Sequence, residues 1–175
     1  MRLFFAAFPD DGTRRLIASA ASLMLGDGAR LVPCENYHMT LAFVGEVSDA
    51  RAASLRTLGP LEVPAFTVCF DTCEHWQRSE VIVFAASECP SALRDLQCKL
   101  RGELDRQDIA PDARAFCPHV TIARKVTQAP ERQAMSKFLW PVTAFELVRS
   151  VRSSAGSSYT VLDRWPLLDK PVRSK

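Results

Sequence analysis

Two short stretches of the chain carry the same residue types in the same order. His38-Met39-Thr40-Leu41 and His119-Val120-Thr121-Ile122 both read His-x-Thr-aliphatic, in a chain with three histidines. Both stretches have the alternation of a strand, where successive side chains point to opposite faces. In each stretch the histidine and the threonine would therefore share one face, and the aliphatic residues would point into a core. This duplication is the feature of the sequence that most strongly indicates chemistry.

A pair of histidines suits acid–base catalysis because imidazole titrates near neutral pH. One ring can act as the base while the other acts as the acid. Each threonine hydroxyl is a donor for a phosphate oxygen, and such donors stabilise charge that develops on phosphoryl oxygens. We therefore predict in-line cleavage of a phosphodiester by His38 and His119, with Thr40 and Thr121 holding the phosphate. The residue types alone do not distinguish the acid from the base.

Other interpretations of these residues remain open from the pattern alone. A single His-x-Thr stretch is weak evidence, since most such histidines are ordinary half-buried strand residues. A two-histidine metal site would need further ligands, and the nearest, Glu35 and Cys117, share no helix with either histidine. We predict no metal site in the chain.

The third histidine lies in a segment with two cysteines. On a strand, Cys69, Cys73 and His75 would share one face, but a fourth ligand at zinc-like spacing is missing. His75 is predicted to be a surface or edge histidine without a catalytic role.

The composition is that of a globular protein. The 175 residues are 47% hydrophobic, and 22 basic against 20 acidic residues give a net charge of +2. This length suits one compact domain or two small lobes with a shared core, and the charge argues against a large nucleic-acid-binding face. The apolar start is too short for a transmembrane helix and lacks a cleavage region. We expect a cytoplasmic protein whose six cysteines are free thiols.

The periodicity predicts the element order β-α-β-α-β-β-α-β-α-β-β. The motif duplication suggests two similar lobes, each offering one central strand, with the two strands facing each other across a groove. The predicted helices cover about 11–25, 48–58, 91–104 and 130–139, and the predicted strands cover about 3–8, 37–44, 66–73, 81–86, 119–124, 142–151 and 158–165.

Four segments resemble one known family. They are Arg2-Leu3-Phe4-Phe5-Ala6 with Pro9, the block Asn36-Tyr37-His38-Met39-Thr40-Leu41-Ala42-Phe43-Val44-Gly45-Glu46-Val47, Arg78-Ser79-Glu80-Val81, and the block Arg114-Ala115-Phe116-Cys117-Pro118-His119-Val120-Thr121-Ile122-Ala123-Arg124. Together they make nearly the whole chain similar to the 2H phosphoesterases. Within these it looks like the bacterial RNA 2′,3′-cyclic phosphodiesterases, also called 2′-5′ RNA ligases.

The resemblance implies a bilobal α+β fold in one domain, 1–175. Two antiparallel sheets would flank a central groove, with helices on the outer faces. It also implies hydrolysis of a terminal 2′,3′-cyclic phosphate on RNA to a 2′-phosphate, and 2′-5′ ligation as the reverse type of reaction. By the same resemblance His38 is the proton donor, His119 is the proton acceptor, and Thr40 and Thr121 bind the phosphate.

The expected partners follow from the same comparison. They are RNA ends or nucleotides with a 2′,3′-cyclic phosphate, for example on tRNA halves, with no metal, cofactor or membrane. We expect a monomer, since no apolar stripe is left unaccounted for. Two alternatives stay open: a phosphodiesterase acting on small cyclic or 2′-5′ linked nucleotides, and a non-catalytic module that binds RNA ends.

Four further residues are candidates for substrate contact. Arg114 and Arg124 flank the second motif, and a guanidinium group pairs well with phosphate. Strict alternation turns Arg124 away from the His119 face, unless the strand bulges there. Phe8 and Phe43 could stack on a base, although core packing is the favoured expectation for both.

Overall fold

The computed structural model describes residues 1–25, 30–110, 115–129, 131–153 and 156–169. These residues form eight strands and three α-helices, with two short 3₁₀ turns at Cys34–Asn36 and Gln77–Ser79. In chain order the elements are β1 (Arg2–Ala7), α1 (Asp11–Leu25), β2 (Met39–Glu46), α2 (Asp49–Arg56), β3 (Phe66–Trp76), β4 (Val81–Ala85), α3 (Ser91–Arg106), β5 (His119–Arg124), β6 (Arg132–Val142), β7 (Ala144–Ser153) and β8 (Gly156–Pro166).

The strands form two four-stranded antiparallel sheets. Their orders are β2-β1-β7-β8 and β5-β4-β3-β6. The predicted α+β class with two antiparallel sheets is confirmed. The expectation of a central motif strand in each lobe is wrong, because β2 and β5 are edge strands of their sheets. The two motif strands β2 and β5 do contact each other.

Capping side chains mark the starts of helices α1 and α2. Asp10 accepts a hydrogen bond from the Thr13 N–H at 2.7 Å, and Ser48 accepts one from the Arg51 N–H at 3.3 Å. These side chains satisfy N–H groups that the first helical turn leaves free. The predicted positions of α1, α2 and α3 are confirmed. The apolar stripe of α3 is fully buried and consists of Leu93, Leu96, Leu100 and Leu104.

The helices tie the two sheets together. Helix α1 follows a strand of the first sheet yet contacts β5 and β6 of the second, while α3 contacts β2 of the first. Buried residues from both sheets belong to one continuous apolar cluster. Each fully buried large apolar side chain contributes about 1.5–3 kcal/mol. The two sheets therefore share one hydrophobic core.

The predicted helix over 130–139 is wrong, because this region contributes strand β6. Phe138, Trp140 and Val142 are buried and alternate with exposed residues, as in a strand with one face on a core. The preceding Arg132–Ser136 carries no apolar alternation that would reveal the strand. Pro141 is tolerated because β6 is an edge strand.

Two further observations concern membrane-spanning helices and the cysteines. Among the described residues, no helix is long and apolar enough to cross a membrane. All six cysteines are free thiols in the structure.

Candidate active site

The two motifs meet at a groove between the facing edges of the sheets. The cavity has a volume of about 510 Å³, and its lining includes His38, Thr40, His119 and Thr121. His38 immediately precedes β2, and His119 is the first residue of β5. The four residues predicted from the duplicated motif therefore lie in one groove. Met39, Leu41, Val120 and Ile122 are buried, as the alternation predicts.

The backbone orients the two imidazole rings in the same way. The Nδ1 of His38 lies 2.7 Å from the Asn36 carbonyl oxygen, and the Nδ1 of His119 lies 2.8 Å from the Cys117 carbonyl oxygen. A carbonyl accepts a hydrogen bond, so each neutral ring carries its proton on Nδ1. The Nε2 atom of each neutral ring is then the unprotonated nitrogen. In this tautomer Nε2 can accept a proton.

Both motif strands contain a β-bulge at the same motif position. Opposite β1, the pairing passes from Thr40 to Ala42, so that Leu41 is the extra residue. Opposite β4, it passes from Thr121 to Ala123, so that Ile122 is the extra residue. A bulge of one residue reverses the alternation that follows it.

Each bulge turns one residue that follows the motif into the groove. Phe43 follows the first bulge and Arg124 follows the second, and both line the cavity. Strict alternation would have turned Arg124 away from the His119 face. Its presence in the groove is thus explained by the second bulge, and Phe43 is its counterpart in the first motif.

His38 lies among aromatic rings. Its ring centroid is 5.1 Å from that of Phe4, 5.7 Å from that of Phe8 and 4.9 Å from that of Tyr159. Burial in this setting lowers the pKa of His38 to about 4. The hydrogen bond to the Asn36 carbonyl acts in the opposite direction and raises the pKa. The nearby charges of Arg124 and His119 lower the pKa further. At neutral pH the His38 ring is neutral in the free protein.

His119 lies against a different shell. Its ring centroid is 4.4 Å from that of Trp76, with the planes tilted by 54°. The Trp76 indole N–H donates to Glu74 at 3.0 Å, and Glu74 lies 3.6 Å from the Arg132 guanidinium. Glu74 also accepts from the Thr72 hydroxyl at 3.4 Å. The ring that packs on His119 is therefore held by polar contacts within the second sheet.

The remaining predicted site residues differ in outcome. Phe43 is 40% exposed and lines the groove, so the favoured expectation of core packing is wrong for it. The bulge in β2 is the reason, since it turns Phe43 out of the core. Phe8 is half-buried and packs beside His38. Arg114 falls outside the described residues.

His75 is not the surface or edge histidine that the sequence suggests. It is 5% exposed on β3, which is an interior strand between β4 and β6. Its Nε2 donates to the Val126 carbonyl at 2.8 Å. It does not line the groove.

The cysteines near His75 do not form the predicted one-sided row. The pairing of β3 with β6 shifts between Phe70 and Thr72, so Cys73 is buried while Cys69 is half-buried. Within the described ranges, no three His, Cys, Asp or Glu side chains are grouped so that they could hold a metal ion.

Sequence reasoning missed several residues of the groove. Trp76, Tyr159 and Arg2 line it, and so do Ser79, Ser150 and Ser157. Trp76 falls just beyond the predicted end of its strand, where continued alternation would have placed it on the face of Glu74. Tyr159 and Ser150 reach the groove because β7 pairs with both β8 and β1. The alternation over 142–151 and 158–165 indicates the hairpin of β7 and β8, but local sequence does not specify the pairing of β7 with β1.

The chain is similar to proteins of known name. A family model described as "2′-5′ RNA ligase superfamily" matches residues 9–153. The chain is 34% identical to the RNA 2′,3′-cyclic phosphodiesterase of Escherichia coli strain K12, over 95% of this chain and 96% of that protein. It is 29% identical to the RNA 2′,3′-cyclic phosphodiesterase of Thermus thermophilus, over 95% and 90%. The crystal structure of E. coli LigT complexed with 3′-AMP superposes with a TM-score of 0.83 and 30% identity, over 95% and 97%.

Proposed function

This chain belongs to the 2′-5′ RNA ligase superfamily, and we propose that it is an RNA 2′,3′-cyclic phosphodiesterase. The proposed reaction hydrolyses a terminal 2′,3′-cyclic phosphate and leaves a 2′-phosphate. Ligation of RNA ends through a 2′-5′ bond is the corresponding reverse type of reaction. Two relatives that align with this chain over 96% and 90% of their own length are named RNA 2′,3′-cyclic phosphodiesterase.

The observation that carries the proposal is the pairing of equivalent groups across one groove. Two imidazoles with the same Nδ1 anchor, two threonine hydroxyls and the guanidinium of Arg124 line the same cavity. A cyclic phosphodiester needs an acid, a base and donors for its phosphoryl oxygens, and this set contains all three. A module that only binds RNA ends has no need of two titrating rings.

In the proposed mechanism His119 accepts a proton from the attacking water. The water oxygen bonds to phosphorus as the bond from phosphorus to the 3′-oxygen breaks. His38 donates a proton to the departing 3′-oxygen, so that the product carries a 2′-phosphate and a 3′-hydroxyl. Thr40, Thr121 and Arg124 donate hydrogen bonds to the phosphoryl oxygens. Each proton transfer by a positioned side chain typically contributes about 10²–10⁴ in rate.

The low pKa of His38 makes its role as donor depend on substrate. An anionic phosphate about 4 Å from the ring stabilises the imidazolium by about 1 kcal/mol in water and about 4 kcal/mol at an effective dielectric constant of 20. Lowering the pKa from 6.5 to about 4 corresponds to about 3 kcal/mol. The charge of the substrate is thus large enough to restore the proton. His38 would then become an acid when the groove is occupied.

The remaining partner assignments are part of the same proposal. Phe43, 40% exposed in the groove, offers a face on which a terminal base can stack. The substrate class is RNA ends with a cyclic phosphate, such as those of tRNA halves. The protein would act as a monomer in the cytoplasm, where its six thiols stay reduced.

The test is a phosphorus NMR assay with a nucleoside 2′,3′-cyclic phosphate and with a cyclic-ended oligonucleotide. The expected product is the 2′-phosphate, formed at the same rate with a chelator present. A 3′-phosphate product would overturn the assignment of the leaving oxygen. Inhibition by the chelator that a divalent ion reverses would overturn the metal-free mechanism.

The third histidine supplies a matched control. His75→Gln keeps an N–H donor for the Val126 carbonyl and lies outside the groove, so we expect turnover within about threefold of the native rate. Thr40→Val and Thr121→Val remove a hydroxyl donor with little change in shape. Each should lower kcat by about 10- to 100-fold if these hydroxyls hold the phosphate.

A further inference from the structure

The groove offers more positive charge than a single phosphate needs. Two guanidinium groups, those of Arg2 and Arg124, line it together with the two histidines. Among the described residues that line it, none is Asp or Glu, although the chain contains 20 acidic residues. A cleft with charge of one sign concentrates ligands of the opposite sign. The groove is therefore suited to a ligand with more than one anionic group.

The two guanidinium groups occupy different parts of the groove. The charge of Arg124 acts on the His38 ring. Arg2 is at the start of β1, at the opposite end from Ala6, which pairs with Thr40. Arg2 shares a face of β1 with Phe4, and Phe4 is the residue that packs against His38. Two residues along a strand span about 7 Å. Arg2 thus lies one side-chain repeat beyond Phe4, toward the end of β1 that is farther from Thr40.

Two serines of the same sheet line the cavity together with Arg2. Ser150 lies directly opposite Arg2 on β7, and Ser157 lines the same cavity from β8. Arg2 is half-buried and makes no ion pair with another described residue. Glu46 lies opposite Arg2 on β2, but it is exposed and does not line the groove. A half-buried guanidinium without a carboxylate partner is available to an anionic ligand.

We propose that Arg2, Ser150 and Ser157 form a second phosphate subsite, which binds the phosphodiester on the 5′ side of the terminal nucleotide. This rests on the proposed function and specifies its substrate. The enzyme favours an RNA end of at least two nucleotides over a cyclic mononucleotide. Arg124 serves the reacting phosphate, and Arg2 serves the next phosphate along the strand.

The experiment compares three substrates with the same terminal nucleoside 2′,3′-cyclic phosphate. They are the mononucleotide, the dinucleotide, and the dinucleotide whose internal linkage is an uncharged methylphosphonate. We expect kcat/KM to be about 10-fold higher for the charged dinucleotide than for the other two. In Arg2→Gln this preference falls below about threefold, and the dependence of log kcat/KM on log salt becomes shallower by about 0.7.

Matched variants separate the subsite from general charge effects. Arg51→Gln removes an exposed arginine of α2 that does not line the groove, and it should keep the full preference. Arg2→Lys keeps the charge without the planar fork and should keep part of it. If Arg2→Gln does not fold, the methylphosphonate comparison in the native protein tests whether the internal phosphate is recognised, and Arg2→Lys tests the role of the residue.

The contrary outcomes are distinct from failure of the proposed function. Equal kcat/KM for the charged and uncharged dinucleotides, or an unchanged preference in a folded Arg2→Gln, would overturn the subsite. No turnover of any of the three substrates would overturn the proposed function itself.

Discussion

The first and second motifs have the same backbone arrangement but different neighbouring side chains. In both, the ring is anchored through Nδ1 to the carbonyl two residues earlier, and in both a bulge follows the threonine. Around His38 the neighbours are the rings of Phe4, Phe8 and Tyr159. Against His119 lies Trp76, whose indole is tied to a carboxylate.

This difference separates two properties that a catalytic histidine needs. The backbone determines which nitrogen faces the substrate, and it is the same in both motifs. The neighbouring side chains determine how readily the ring takes a proton, and they differ. Aromatic rings remove water from His38 and lower its pKa. A duplicated motif can thus hold two rings in the same orientation within different surroundings.

The largest expected effect is loss of turnover when either ring is removed. His38→Ala and His119→Ala should each lower kcat by at least about 10³, because each removes one proton transfer and one contact to the phosphate. The measurement is kcat on a nucleoside 2′,3′-cyclic phosphate, with His75→Gln as the matched control. Retention of more than a tenth of the native kcat by either variant would contradict paired catalysis.

The second effect is on stability in acid. The folded-state pKa of His38, about 4, is below its unfolded value of 6.5, so between these pH values the unfolded chain binds more protons. The free energy of unfolding therefore falls as the pH drops from 6.5 to 4. The loss from His38 is at most about 3 kcal/mol. Urea unfolding of the native protein and of His38→Gln should diverge across this range, and parallel curves would show that the ring is not desolvated.

The third effect tests the aromatic shell directly. Tyr159→Leu removes a ring 4.9 Å from His38, and water that enters there should raise the pKa of His38 by about one pH unit. Tyr159→Phe keeps the ring and should leave the pKa near its native value. Proton NMR titration of His38 gives both values. If the two variants titrate alike, the aromatic shell is not the cause of the low pKa.

The same titration tests whether a bound anion favours the protonated form of His38. Saturating inorganic phosphate should raise the pKa of His38 by at least about one pH unit, since the anion stabilises the imidazolium. An unchanged pKa in the presence of bound phosphate would count against His38 as the proton donor.

The smallest effect concerns the residues that hold the ring beside His119. Glu74→Gln keeps an acceptor for the Trp76 indole but removes the charge that faces Arg132, so we expect kcat to fall by about two- to fivefold. The accompanying change should be a displaced pH profile rather than a higher KM. A higher KM with unchanged kcat would place Glu74 in substrate binding instead.

Sequence patterns predicted much of this molecule because the pattern and the structure obey the same periodicity. Helices α1 and α2 begin at side-chain caps, and α3 carries an apolar stripe, and both features depend only on local sequence. The shared face of His38 with Thr40, and of His119 with Thr121, follows from the pleat of a strand.

What could not be predicted depends on pairing between distant strands. The bulges at Leu41 and Ile122 exist only relative to β1 and β4, so the positions of Phe43 and Arg124 were not determined by their own segments. The helix over 130–139 was predicted from a proline near its first turn, and the polar first half of β6 shows no apolar alternation that would have indicated a strand. The shell of His38 includes Tyr159, a residue far away in the chain that is brought near by the packing of β8.

The strand β5 has a further partner on its free edge. The Val32 N–H donates to the Ile122 carbonyl at 2.8 Å, and the Arg124 N–H donates to the Arg30 carbonyl at 3.3 Å. The chain that leads into the first motif is thus joined by main-chain hydrogen bonds to the strand of the second motif. A hinge cannot open between walls linked in this way without breaking those bonds. We therefore expect side chains at the rim of the groove, rather than moving lobes, to adapt to a ligand.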